Sequence, residues 1–221
     1  MKLMAKQFEL LVFDWDGTLM DSAGAIVSSI QAACRDIGIP QPSDTAARYI
    51  IGLGLNEAIR ALLPDLAEAD YGLLVERYRY HFLARDQELP LFPGAQETVA
   101  YLHERGFLLA VATGKSRRGL ERALKSSGLG AFFHGSRCAD ESISKPHPAM
   151  LVELMDEFDV APQQTLMIGD TTHDLQMAAN ASVASVAVSF GAHPKDSLLA
   201  LDPLACADNW SELRLWLTTH A

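Results

Sequence analysis

The sequence predicts an α/β protein: a doubly wound parallel sheet carrying an inserted all-α cap domain. Three observations predict it. Short apolar runs bounded by turn residues alternate with helical patterns along most of the chain, the order that a parallel sheet and its covering helices impose. Between residues 22 and 90 that alternation stops and only helical periodicity is found. Finally, polar or charged groups follow directly after four strand-like runs, and a parallel sheet brings all its strand C-terminal ends to one edge.

The elements follow in order. The first strand is Leu10–Phe13 in "LLVFDWDGTLMDS". Ile26, Ile30, Ala33 and Ile37 then mark one amphipathic helix. Leu55, Ile59, Leu62 and Leu63 mark a second, stopped by Pro64, and Tyr71, Leu74, Val75, Tyr78 and Phe82 mark a third. The block is about a third of the chain, too large for an ordinary strand-to-helix loop. "LPLFPGAQ", with two prolines and a glycine, reads as the return linker. The expected division is therefore a core domain of residues 1–21 and 89–221, and a cap domain of residues 22–88. Further strands are expected at Phe107–Ala112, Leu166–Ile168 and Val183–Phe190, with weaker candidates near Phe132–Phe133 and Leu204–Cys206. Pro148 opens the helix "PAMLVELMDEF", with Leu151, Leu154 and Phe158 on one face. "SELRLWL" groups Leu213, Trp216 and Leu217 in a last helix.

Composition narrows the function. With 221 residues and 49% hydrophobic content the chain can bury a sizeable core. A net charge of −10 and the absence of a long Lys/Arg run argue against nucleic acid as a partner. Three cysteines, Cys34, Cys138 and Cys206, form no CxxC spacing, which suits a reducing cytoplasm and neither a disulfide framework nor a zinc site. No stretch approaches the roughly 20 apolar residues of a membrane span. The apolar run after "MKLMAKQF" stops at Asp14, too early for a signal-peptide core, so no leader is expected and the sequons at Asn180 and Asn209 read as chance. A soluble cytoplasmic monomer or homodimer is expected.

The polar strand ends are "VFDWDGT", "VATGKS", "SKPHP" and "MIGDTTHD". Gathered on one edge, they set Asp14, Asp16, Asp170 and Asp174 against Lys145, with the Thr113 hydroxyl nearby. Four carboxylates and one amine do not balance, and an all-oxygen set suits Mg²⁺ better than zinc. Mg²⁺, a lysine and a threonine together suit a phosphoryl group. One aspartate then remains as a nucleophile, since a carboxylate can form an acyl-phosphate. Along a strand, residues i and i+2 point the same way, so Asp14 can attack while Asp16 handles the leaving-group proton. Trp15, between them, is expected to turn into packing.

Competing motifs fail. A phosphate-binding P-loop needs glycine five residues before Gly114, where the chain has Leu109. "GLGLNE" at 52–57 lacks the third glycine of a dinucleotide fingerprint and reads as a cap loop facing the site. Arg48, Asn56, Arg60 and Lys115 are candidate substrate contacts, but each reads more readily as a surface residue. His173 is expected to face solvent, and His147 to belong to the turn that positions Lys145.

In that order, "DWDGTLMDS", "ATGKS", "SKPHP" and "GDTTHD" resemble the four motifs of the haloacid dehalogenase superfamily. The resemblance runs from about Leu10 to Gly191, and the helical insert is similar to the cap of the phosphoglycolate-phosphatase-like branch. It implies a core strand order of 3-2-1-4-5, Asp14 as nucleophile and Asp16 as acid/base. It implies Mg²⁺ held by Asp14, the Asp16 main-chain carbonyl and Asp170, supported by Asp174. Thr113, Gly114 and Lys145 are implied to bind the phosphoryl group of a small phosphorylated metabolite. The superfamily's true dehalogenases lack an acid at the position of Asp16. Its presence here points to phosphate chemistry, with phosphoglycolate the lead substrate. A phosphosugar mutase, a pyrophosphatase or a nucleotidase shares the same core. A receiver-like signalling domain also uses a strand-end aspartate, Mg²⁺, threonine and lysine, but needs neither cap nor leaving-group acid. Asn180 stands where the family commonly has glycine, and is expected to end its helix in the left-handed conformation.

Overall fold

In the computed structural model, residues 7–221 are described, and residues 1–6 of the basic opening lie outside them. Strands β1 (Leu10–Phe13), β2 (Leu108–Thr113), β3 (Gly135–Cys138), β4 (Thr165–Gly169), β5 (Ala184–Val188) and β6 (Ala205–Ala207) form one sheet. Its order is β3-β2-β1-β4-β5-β6, and every pairing is parallel. The expected 3-2-1-4-5 order is present and extended by β6, which grows from the weaker candidate at Leu204–Cys206. The candidate at Phe132–Phe133 is corrected: both rings pack on the core as the chain leaves a short 3₁₀ turn. Pairing on that edge begins only where the His134 amide donates to the Leu109 carbonyl.

β1 runs through the middle of the sheet and is fully buried. Its period-two geometry sends Leu11 and Phe13 into one core cluster and Leu10 and Val12 into the other. A strand covered on both faces needs apolar residues at every position, which explains the unbroken run. The sheet is flanked by α5 (Ala95–Glu104), α6 (Arg117–Ser127), α7 (Ala149–Phe158), α8 (Thr172–Asn180), α9 (Lys195–Leu199) and α10 (Trp210–His220). Pro148 caps α7 as expected, and Leu213 and Leu217 of α10 enter the core beside Trp210.

Between β1 and β2 lie α1 (Ala23–Asp36), α2 (Asp44–Tyr49), α3 (Leu55–Leu62) and α4 (Glu68–Leu83). These inserted helices bury a cluster of their own, with Ile26, Ile30, Ala33, Ile59, Leu74 and Phe82 at its centre. At one end of α1, Asp36 accepts from Arg77 Nε and lies against His81 Nε2, each at 2.7 Å, tying α1 to α4. The six-residue α2 was too short to announce itself by periodicity. Its one local sign is Ser43, whose hydroxyl accepts from the Ala46 amide as an N-cap. The chain leaves and returns side by side: Asp21 N–H donates to Pro90 O, and Phe92 N–H to Leu19 O, both at 3.0 Å.

Asn180 corrects another expectation. It is the last residue of α8, and the left-handed residue is Ser182, at φ 57°. The Asn180 side chain instead donates to the Pro146 carbonyl at 2.9 Å, joining α8 to the loop that carries Lys145. Among the described residues no helix is long and apolar enough to cross a membrane, and the three cysteines are unpaired.

Candidate active site

The charged cluster sits at the C-terminal ends of β1 and β4, neighbours at the point where the chain winds outward in both directions. Asp14 follows β1 directly and is 1% exposed; Asp170 and Asp174 are fully buried. Lys145 enters from the loop before α7, through a cis Lys145–Pro146 peptide. Its ammonium lies 2.6 Å from Asp14 Oδ1 and 2.6 Å from Asp174 Oδ1. Asp170 Oδ1 accepts from the Thr18 hydroxyl at 2.8 Å, and Oδ2 from the Ala192 amide at 2.7 Å. Asp174 also closes a capping box at the start of α8, its Oδ2 accepting from the amide and hydroxyl of Thr171. It is therefore both a helix cap and a member of the charged cluster.

One carboxylate oxygen from each of Asp14, Asp170 and Asp174 lies within 4.8 Å of the others. Burial drives the Asp14 carboxyl well above the usual range; Asp174 and Asp170 add to this and Lys145 opposes it. Burial likewise pushes Asp170 up to about 7, with Asp174 as the next cause. For Lys145, burial disfavours the ammonium, but Asp14 and Asp174 together hold it above the ordinary lysine range. Three buried carboxylates share one cation, and Asp14 Oδ2 is buried without any hydrogen-bond partner. That excess of hard oxygen donors around an unsatisfied atom fits a divalent cation such as Mg²⁺.

Asp16 looks elsewhere. Its Oδ1 accepts from the Ser22 hydroxyl at 2.6 Å and pairs with Lys115 Nζ at 2.9 Å. Its carboxylate is not part of the three-aspartate cluster. Trp15 is turned away into the core, beside Phe133. Thr113 ends β2 fully buried, its hydroxyl accepting from the Lys115 amide at 3.2 Å. Lys115, which reads in the sequence as a surface residue, is brought to the cavity wall: its side chain is 8% exposed and lies over the Phe82 ring.

The loop between α2 and α3 closes over these strand ends. A side chain at Gly114 would overlap the Leu53 and Gly52 carbonyls, so that contact requires glycine. Gly54 N–H donates to the Ser144 hydroxyl at 2.8 Å. His173 Nε2 and His193 Nε2 both reach the Tyr49 carbonyl, at 2.8 and 3.1 Å. His173 is therefore buried under the insert and does not face solvent; the sequence carried no sign of Tyr49 as its cover. Between insert and sheet edge lies a cavity of about 740 Å³ lined by residues 50–59, including Asn56, and by Asp16, Gly114 and Lys115. Arg48 and Arg60 do not line it; Arg60 is 66% exposed and pairs with Glu68. His147 accepts from the Ala149 amide within its own turn, as expected.

A parallel sheet with an acidic, lysine-bridged cluster at its switch point, covered by an inserted helical block, defines a hydrolase class. The chain belongs to the haloacid dehalogenase-like hydrolases, whose family model matches residues 11–188. It is 37% identical over 210 residues to the probable phosphatase IndB of Dickeya dadantii, covering 92% of this chain and 91% of that one. It is 29% identical to a phosphoglycolate phosphatase of Vibrio vulnificus, over 94% and 95% of the two chains. Among solved structures, a predicted phosphoglycolate phosphatase from Haemophilus somnus superimposes with a TM-score of 0.88 at 26% identity, covering 97% and 100%. The chain is thus an enzyme of the phosphoglycolate-phosphatase-like branch.

Proposed function

We propose that the protein is a cytoplasmic, Mg²⁺-dependent phosphomonoesterase that works through an aspartyl-phosphate on Asp14. The observation that carries this reading is the unpartnered, buried Asp14 Oδ2, held in place by the 2.6 Å contact of its sister oxygen with Lys145. A bound Mg²⁺, held by Asp14, Asp170 and the Asp16 carbonyl with Asp174 in support, supplies charge to the phosphoryl oxygens.

Asp14 Oδ2 attacks phosphorus, and the bond from phosphorus to the ester oxygen breaks. Lys145 and the Thr113 hydroxyl hold the transferring oxygens. Asp16, kept at the mouth of the site by Ser22 and Lys115, gives its proton to the departing alkoxide. A water then delivers its proton to Asp16 as its oxygen attacks phosphorus, the Asp14–phosphorus bond breaks, and phosphate leaves. The residue 22–88 cap excludes bulk water during both steps.

Relatives named as phosphoglycolate phosphatases make phosphoglycolate the first natural ester to assay. The basic test uses para-nitrophenyl phosphate with Mg²⁺ and with EDTA. Turnover is expected only with the metal, and Asp14→Asn should lower it by at least about a thousand-fold. Metal-independent turnover, or activity retained in Asp14→Asn, would contradict the mechanism.

A further inference from the structure

We propose that the outer face of α4 is a two-fold interface whose partner is the α4 of a second copy of this chain, packed antiparallel. This interface is independent of which ester the site hydrolyses.

α4 is apolar on two opposite faces. The inner face is accounted for: Leu74 and Phe82 are buried, and Tyr71, Val75 and Tyr78 pack beside them in the insert's own cluster. The outer face carries Ala69, Leu73, Glu76, Tyr80 and Leu83, all exposed. Their spacing alternates between four and three residues, the repeat that keeps one stripe facing a second helix. Leu73 is 47% exposed, Tyr80 62% and Leu83 46%. A surface helix ordinarily turns polar residues to water on the side away from its core. Three large apolar side chains in line there mark a contact surface. Tyr80 is also braced: the Arg77 guanidinium lies 4.5 Å from its ring centroid, and the His81 ring meets it edge-on at 5.3 Å. A braced, exposed aromatic makes a strong anchor, since little side-chain freedom is left to lose on binding.

Charge identifies the partner. The acids of α4, Glu68, Asp70 and Glu76, all precede its bases, Arg77, Arg79 and His81. Two copies of this helix therefore complement each other when they run antiparallel. A two-fold axis beside Glu76 sets Leu73 against Tyr80 of the second copy, and Ala69 against its Leu83. Under that symmetry each flank of the stripe meets the same flank of the other copy. Glu76 and Arg79, three residues apart, lean to one flank, so each Glu76 meets the Arg79 of the other copy. Both are exposed, and among the described residues neither has an ion-pair partner within its own chain. A carboxylate at the centre of the stripe suits a lipid surface poorly, whereas a second copy brings the cation that answers it. A pair of 16-residue helices, about 24 Å long, falls short of the roughly 1,600 Å² of a standard interface. The dimer is accordingly expected to be weak, with a dissociation constant on the order of 1–100 µM.

Sedimentation velocity on the full chain, from about 1 to 500 µM, reads the state directly. The wild type should move from 24.1 kDa toward twice that mass as concentration rises. Leu73→Glu should weaken association at least about tenfold and keep the thermal midpoint, because that side chain lies on the outer face. Glu76→Arg and Arg79→Glu should each weaken it by setting like charges across the axis. The double exchange should restore it to within about threefold of the wild type. A chain that stays monomeric at every concentration overturns the proposal, whether or not a lipid vesicle or a different protein binds the stripe. So does a dimer that Leu73→Glu leaves intact. Growth beyond the dimer marks a head-to-tail contact and overturns the two-fold symmetry. Single exchanges without effect, or a double exchange that restores nothing, overturn the antiparallel pairing.

Discussion

At the residue scale, Asp14 and Asp16 are two carboxylates two positions apart with different company. Asp14 faces Lys145 and two further aspartates in a dry cluster; Asp16 faces Ser22 and Lys115 at the cavity wall. The proposed mechanism divides the labour accordingly, one attacking and the other moving protons. Asp16→Asn should then cost about 10²–10⁴-fold on an alkyl phosphate, whose alkoxide needs the proton. It should cost much less on para-nitrophenyl phosphate, whose phenolate leaves unaided. Equal losses in kcat on the two esters would remove the acid role. The aspartates were legible in the sequence because each closes a strand-like run, and Lys145 because it lies in an ordered set of motifs. Lys115 was legible only as a candidate: it stands in "ATGKS", but a lysine before the Ser116 cap of α6 reads as a solvated residue. Its role depends on Asp16 and Phe82, 99 and 33 positions away.

At the element scale, the insert meets the sheet edge through backbone as much as side chains. Gly114 lets the Gly52–Leu53 backbone approach, and Tyr49 O takes contacts from both His173 and His193. Gly114→Ala should push that loop away from the strand ends and lower kcat/KM by on the order of 10–100-fold, because small misplacements near reacting groups are costly. The thermal midpoint should change little, since the contact lies outside the buried clusters. Unchanged steady-state kinetics would show that the loop contact is dispensable. Within the insert, hydrogen bonds from His81 and Arg77 hold the Asp36 carboxyl below its usual range. A lowered carboxyl pKa stabilises the fold above the unfolded value, near 4, and that contribution is lost as pH falls through the folded value. Asp36→Asn should therefore lower the thermal midpoint modestly at pH 7 and less and less toward pH 3. A gap that widens on acidification would contradict the assignment. The long helices α1 and α4 were readable from their period. The α2 segment and the Tyr49 contact were not, since six residues give too little periodicity to find and the contact joins positions 124 and 144 apart.

At the scale of the whole molecule, one chain supplies a sheet edge that concentrates negative charge and a helical cover that closes on it. The sheet was legible because parallel strands buried on both faces leave long apolar runs separated by helices. The content of the cavity was not. Tyr78 was readable only as a core position of α4, and its place on the cavity wall appears once α4 is laid over the strand ends. The architecture, four strand ends converging under an insert that leaves and returns by paired segments, places Asp14, the proposed nucleophile, at its centre. The most direct test is rapid acid quenching during turnover of a phosphomonoester with Mg²⁺, followed by mass spectrometry of the peptides. The account predicts one hydroxylamine-labile phosphoryl group on the peptide containing Asp14, absent in Asp14→Asn. Steady turnover with no label, or a label on any other residue, would contradict it.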